Sequence, residues 1–290
     1  MILYDLMIAP FADFSFMRRA LVGVIALALG AGPIGIFLML RRMSLMGDAM
    51  AHAILPGAAI GYLLGGLSLG FMTAGGLVAG FAVALLAGAL ARVTVLREDA
   101  TLASFYLLSL AGGVVLLSLK GSNLDLLHVL FGSVLALDDA TLILLVSASS
   151  LSLMVLALIF RPLVLECVDP VFLASVNGHG GRVHLLFLGL LTLNLVAGFH
   201  ALGTLLAVGL MMLPAVAARF WCRGIGMLMM TATSIGMVSG LIGILLSYHS
   251  GLPTGPSIIL TTGMFYVVSI LFGSQGGLML SLIRRPHLRG

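Results

Sequence analysis

Long runs without a formal charge, separated by short polar breaks, set the reading of this chain. A membrane span needs about 20 consecutive apolar residues. Residues 20–40 form a first uncharged span, and residues 43–91 hold two, split near the glycine-rich stretch 65–70. Residues 100–119 and 140–160 supply a fourth and a fifth. Residues 183–218 carry no formal charge. As one helix they would run about 54 Å, too long for a single crossing, so they split near residues 198–203. Residues 224–283 are likewise uncharged and split at the Pro/Gly-broken stretch 249–256. The pattern predicts an all-α, polytopic integral membrane protein of about nine transmembrane helices, with eight as the alternative count, in a single domain over residues 1–290. Residues 1–19, with Tyr4, Phe11, Phe14 and Phe16, read as an interfacial segment. Residues 126–137 are too short to span and read as a half-helix. Residues 161–182 form the longest polar loop.

Composition agrees. The chain is 61% hydrophobic and 8% charged, where a soluble protein carries roughly a quarter charged residues. The net charge of +4 does not indicate nucleic-acid binding, because the basic residues occur in pairs between apolar runs, the pattern of cytoplasmic loops. With Arg284, Arg285 and Arg289 inside, alternation places Arg219/Arg223, Arg161/Arg182, Arg92/Arg97 and Arg41/Arg42 inside too. It also places an N-terminus carrying Arg18 and Arg19 outside. Cys167 and Cys222 fall beside cytoplasmic loops, so a disulfide is not expected. The N-terminus does not read as a cleavable signal peptide, since Asp5 and Asp13 precede any long apolar run.

One polar feature interrupts the apolar chemistry. Asp48 is the only Asp, Glu, Lys or Arg in residues 43–91. A carboxylate in hydrocarbon costs roughly a few to over ten kcal/mol, so a lone one is by default a functional-site hypothesis. His52 lies four residues on, on the same helical face. Together they offer an oxygen and an imidazole nitrogen, a pair that suits zinc, manganese or iron rather than calcium. Pro56 deprives the His52 carbonyl of its helical partner, so Pro56-Gly57 predicts a kink with a free carbonyl at the site. A helix starting near Arg42 would put Asp48 and His52 roughly 9 and 15 Å deep. A structural Asp–His pair is the competing reading. His249, before the turn at residues 250–256, reads either as a ligand or gate at the outer mouth or as an interfacial histidine.

In the 161–182 loop, Asp169 suits an N-cap, Pro170 a first helical position and Gly178 a C′ position. A short helix over residues 170–177 would carry Val171, Phe172, Leu173 and Val176 toward either this protein's helix ends or a soluble partner's groove. The chain's only lysine is Lys120 and it has no Gly-x-x-x-x-Gly-Lys-Ser/Thr, so it has no P-loop. It also lacks His-Glu-x-x-His. The 17 methionines are scattered and read as packing. Gly57/Gly61/Gly65, Gly76/Gly80 and Gly236/Gly240 have the spacing of close helix packing.

The stretch from Arg41 to Gly57 resembles the signature of the zinc/manganese permease family of bacterial ATP-binding-cassette importers. Leu130-Phe-Gly-Ser133, Asp169-Pro170 leading to Gly178, Gly203-Thr-Leu-Leu206, Leu213-Pro-Ala215, Ser247-Tyr-His249 and Leu252-Pro-Thr-Gly-Pro256 follow in order. The resemblance implies a multi-pass permease of the bacterial plasma membrane, a homodimer or a heterodimer with a paralogue. It implies a cytoplasmic ATPase dimer and an extracytoplasmic metal-binding protein as partners. The transported divalent metal would be zinc first, manganese or iron next, with no resident cofactor and no enzyme activity in this chain. It makes Asp48, His52 and His249 the metal or gate positions. Asp169, Pro170, Phe172 and Gly178 become the segment that couples to the ATPase. A secondary transporter, with Asp48 as the ion-coupled carboxylate, is the alternative.

Overall fold

Glycines and short polar turns cut the apolar runs into helices. The computed structural model describes residues 2–66, 68–95, 98–119, 134–169, 172 and 180–279. Two short helices, α1 (Ile2–Met7) and α2 (Ala9–Asp13), precede α3 (Ser15–Leu40). Then come α4 (Met46–Gly65), α5 (Leu69–Val93), α6 (Glu98–Leu119) and a 3₁₀ turn at Val134–Ala136. The chain continues through α7 (Asp139–Val168), α8 (Gly180–Leu202), α9 (Thr204–Ala218), α10 (Ile225–Ser250) and α11 (Thr254–Phe272). No strand occurs among the described residues.

Each predicted split is a helix break. The α4–α5 turn runs through Gly66 and the α10–α11 turn through Gly251, both in the left-handed region at φ 66° and 68°. Gly203, between α8 and α9, has φ 88° and ψ 159°, a conformation essentially closed to side chains. Among the described residues, six helices, α3, α5, α7, α8, α10 and α11, are long and apolar enough to cross a membrane. Of the others, α4 has 20 residues but carries Asp48, His52 and Pro56. The apolar part of α6 is Ala100–Val115, and α9 has 15 residues.

Two expectations need correction. Residues 161–168 are not loop: α7 runs on to Val168, so Glu166 lies in a helix. Residues 15–19 are not interfacial but open α3, and Met17 is fully buried. The proposed half-helix 126–137 lies mostly outside the described residues, as do Arg284, Arg285 and Arg289.

In α3, 78% of the most apolar window is buried, against 22% in α5 and 28% in α7. Hence α3 is the central post, and α5 and α7 turn most of their surface outward from the bundle. Small residues let other helices close on it. A methyl at Gly35 would fall 1.9 Å from the Met211 carbonyl oxygen of α9. Methyls at Gly32, Gly236 and Gly240 would meet Thr233, Ala28 and Val24. These pairings make α3 and α10 antiparallel, and Phe14 packs on Tyr248 at the far end.

The contacts therefore sort residues to the two ends of the bundle. Arg19 pairs with Asp139 at 2.9 Å, and Arg18 donates to the carbonyls of Phe11 and Ala12. Of the two arginines at the predicted outer end, one is thus ion-paired and the other hydrogen-bonded to backbone. At the opposite end, Trp221 donates to Ser269 Oγ at 2.8 Å and Gln275 N to the Phe220 carbonyl.

Candidate metal site and coupling region

Between α3 and α4 the chain spends Arg41–Leu45 on turns, with Arg42 at φ 60°. Because α4 begins at Met46, Asp48 sits in its first turn. That corrects the expected depths: along α4, Asp48 is only about 3 Å and His52 about 9 Å from the helix start. The position also eases the burial cost, since a carboxylate is favoured at the positive end of a helix. Within this chain the Asp48 side chain is 62% exposed and His52 27%.

The two side chains do meet. Asp48 Oδ1 lies 3.6 Å from His52 Nε2, beyond hydrogen-bonding range. A cation held about 2.1 Å from each in tetrahedral geometry separates its ligands by roughly 3.4 Å. The two groups are thus near enough to share a cation without being hydrogen-bonded to each other. The His52 ring stacks on Tyr106 of α6 at 6.0 Å, with 28° between planes. Its Nδ1 is buried and has no hydrogen-bond partner. Ser109 of α6 donates to the Ala53 carbonyl at 3.2 Å, and Gly113 lets α6 close on Pro56. On the other side, α4 meets α5 backbone to backbone: methyls at Gly57 and Gly75 would fall 2.2 and 2.1 Å from each other's carbonyl oxygens. So α4 is wedged between two helices. Tyr106 and Ser109, invisible to spacing arguments, hold the turn that carries His52.

His249 is not brought to this pair. It ends α10, at the Phe14 end of α3, whereas Asp48 follows the Arg41 end. The α3 helix separating these ends has 26 residues, or about 39 Å. His249 Nε2 donates to the Leu6 carbonyl at 3.0 Å. The neighbouring motif is a turn device: Ser247 Oγ contacts the Leu252 carbonyl and Thr254 Oγ1, both at 2.7 Å. Among the described residues no group of three or more His, Cys, Asp and Glu could hold a metal. Asp48 and His52 alone make an incomplete set.

Pro170 and Gly178 lie outside the described residues. Asp169 caps α7 and its Oδ1 accepts from Phe172 N at 2.9 Å, the bond expected of an N-cap. The Phe172 side chain is 50% exposed.

A second polar cluster joins residues far apart in the chain. Glu166 near the end of α7 is 10% exposed, and it pairs with Arg41, 8% exposed, through Arg41 Nη2. Arg41 Nη1 lies 3.0 Å from His184 Nδ1. A guanidinium only donates, so this ring nitrogen accepts and the ring proton sits on Nε2. The guanidinium also lies 4.9 Å from the Phe187 ring centroid, with the Cys167 thiol nearby. Removing one member of such a buried pair strands the other charge, at about 3–5 kcal/mol. Spacing along the chain does not reveal this cluster. The signal that could have found it is the pair of charges, Glu166 and Arg41, that alternation puts at one end.

Comparison with known proteins adds the family. The sequence profile of the ABC 3 transport family matches residues 13–273. The chain is 33% identical over 273 residues to the manganese import system permease protein ScaB of Streptococcus parasanguinis, covering 93% of this chain and 96% of that one. It is 30% identical over 270 residues to the chelated iron transport system membrane protein YfeD of Yersinia pestis, with 93% and 89% covered. The structure of PsaBC from Streptococcus pneumoniae in complex with Fab superposes with a TM-score of 0.82 at 28% identity, over 93% of this chain and 97% of that one.

Proposed function

The chain belongs to the ABC 3 transport family as the multi-pass permease subunit of a bacterial ATP-binding-cassette metal importer, and from that premise we propose that it passes manganese or iron ahead of zinc along Asp48 and His52. The sequence resemblance puts zinc first. The names of the relatives, manganese for ScaB and chelated iron for YfeD, favour the harder ions, and an oxygen–nitrogen ligand pair is open to them.

The observation that carries the site reading is the 3.6 Å spacing of Asp48 Oδ1 and His52 Nε2 in the first two turns of a wedged helix. Two ligands hold a divalent ion weakly. Conduction needs that weakness, since an ion must leave as readily as it enters. A second permease copy, water and the carbonyl freed by Pro56 are the sources of further ligands. The nine helices of 15 residues or more among the described residues act as the membrane body. A soluble ATPase dimer supplies the energy by binding at residues 169–178, and an extracytoplasmic binding protein delivers the metal at the Arg19–Asp139 end.

The test is uptake by the permease reconstituted in liposomes with its ATPase and binding protein, measured with manganese, iron and zinc in parallel. Asp48→Ala and His52→Ala should each lower ATP-driven uptake at least about tenfold, a loss of ~1.4 kcal/mol of ion stabilisation. Wild-type rates in both variants would remove the site assignment. Uptake driven by an ion gradient in the chain alone would instead make it a secondary transporter.

A further inference from the structure

The proposed metal path lies on this chain and ATP hydrolysis on its partner, so something rigid must carry movement from the proposed ATPase contact to the metal path. The segment proposed to meet the ATPase begins at Asp169 and ends before α8. Its two flanks converge on one buried guanidinium. Glu166 precedes the segment by three residues and pairs with Arg41. His184, in the second turn of α8, contacts the same Arg41 at 3.0 Å and Glu166 at 3.7 Å. Arg41 itself caps α3 and opens the five-residue turn that leads into α4 and Asp48. Its place at a helix C-terminus favours its charge, and the Phe187 face backs it.

Packing alone does not require these groups. Apart from the exposed Arg19–Asp139 pair at the other end of α3 and the Ser149–Ser152–Asn194 cluster near mid-helix, the buried residues that α3 packs against α7 and α8 are apolar. The Arg41 cluster is also incompletely satisfied. Arg41 Nε and Glu166 Oε2 are both buried, and neither has a hydrogen-bond partner. An arginine and a carboxylate can pair through two parallel bonds, so the same two side chains have a second arrangement open to them. An element with two discrete arrangements, touching both sites, is what energetic coupling requires.

We infer that Arg41 and Glu166, with His184, are positioning residues of transport: a buried tie that transmits displacement of the 169–178 segment to the turn carrying Asp48. This rests on the proposed ATPase contact at that segment. The tie takes no part in holding metal or nucleotide.

The discriminating quantity is metal ions imported per ATP hydrolysed, measured on the assembled permease–ATPase–binding protein complex in liposomes. A merely structural role lowers the amount of complex and leaves this ratio unchanged. The transmitting role lowers the ratio itself. Glu166→Gln should reduce it about tenfold, within the usual range of couplings between sites, while ATP hydrolysis by the assembled complex continues. Breaking one side of a buried pair can prevent folding, so the paired variant Arg41→Met/Glu166→Met serves as the second measurement. Apolar replacement of both partners is commonly tolerated by the fold, and the ratio should fall in it as well. A wild-type ratio in either assembled variant overturns the tie and leaves the importer reading standing. Absence of ATP-driven uptake in the wild-type complex overturns the importer reading and the tie with it. Failure of the paired variant to assemble shows the cluster to be a folding element and also overturns the proposal.

Discussion

Consider replacing Gly57 by alanine. The added methyl would fall 2.2 Å from the Gly75 carbonyl oxygen, 2.4 Å from Ala79 Cβ and 2.8 Å from the Gly75 carbonyl carbon. Carbon–oxygen contacts relax at about 3.3 Å, so α4 and α5 must part by roughly 1 Å along this seam. Two of the three obstructing atoms are backbone, and the third is a Cβ, so no rotamer change relieves the clash. Overpacking of this kind costs about 1–3 kcal/mol, and the upper half of that range applies where the neighbours cannot give. Gly112→Ala is the matched control. It lies in α6, where an added methyl would have nothing within 4 Å, and alanine there gains up to ~1 kcal/mol of helix propensity. Purified protein in detergent, heated and scored by size-exclusion of the surviving monodisperse fraction, reads the difference. Gly57→Ala should melt roughly 3–8 °C below the wild type, and Gly112→Ala at or above it. Equal midpoints for the two variants would refute the backbone-contact argument. So would a Gly57→Ala protein more stable than the wild type.

Two further outcomes follow from helix ends. Gly203→Ala forces a side chain into φ 88°, ψ 159°, so it should destabilise by about 1–3 kcal/mol, seen as a lower melting midpoint in the same assay. Asp138 caps α7 by accepting from Thr141 N at 3.1 Å, and its hydrogen bonds to Thr141 hold its pKa below the usual 3.8. A lowered folded pKa means that the cap contributes fully above pH 3.8 and is lost as pH falls through the depressed value. Asp138→Ala should therefore cost roughly 1 kcal/mol at neutral pH, with the gap from the wild type closing only in strong acid. A gap that instead widened on acidification would contradict the assignment.

Where the fold is legible in the sequence, the reason is that glycine and charge act locally. Gly66, Gly203 and Gly251 break helices because of their own backbone angles, and each stands inside a predicted split. Asp48 and His52 are legible because four residues along a helix guarantee a shared face. What is not legible depends on where helices end and on what meets across the bundle. Asp48 lies shallower than expected because Arg41–Leu45 turn rather than coil, and nothing in those side chains announces it. Glu166 looks like a loop residue because charge ordinarily marks the end of a membrane helix. In fact α7 continues past Arg161 and Pro162, and the charge is matched by Arg41 from a distant part of the sequence. His249 illustrates the converse. Its motif is prominent, yet it lies at the end of the bundle away from Asp48, where it bonds the Leu6 carbonyl.

The length of α7 has a consequence for whatever approaches residue 169. Thirty residues make a rod of about 45 Å. The uncharged stretch 140–160 accounts for roughly 32 Å of it, the thickness of the hydrocarbon. Arg161–Val168 then add about 12 Å, against a headgroup layer of only ~5–8 Å per side. A typical 20° tilt shortens the projection by roughly 6% and does not close the difference. The end of α7 thus stands off the lipid surface by several ångströms (about 5 Å). A soluble body docking there meets protein first, and it needs no lipid-binding face of its own to reach its seat.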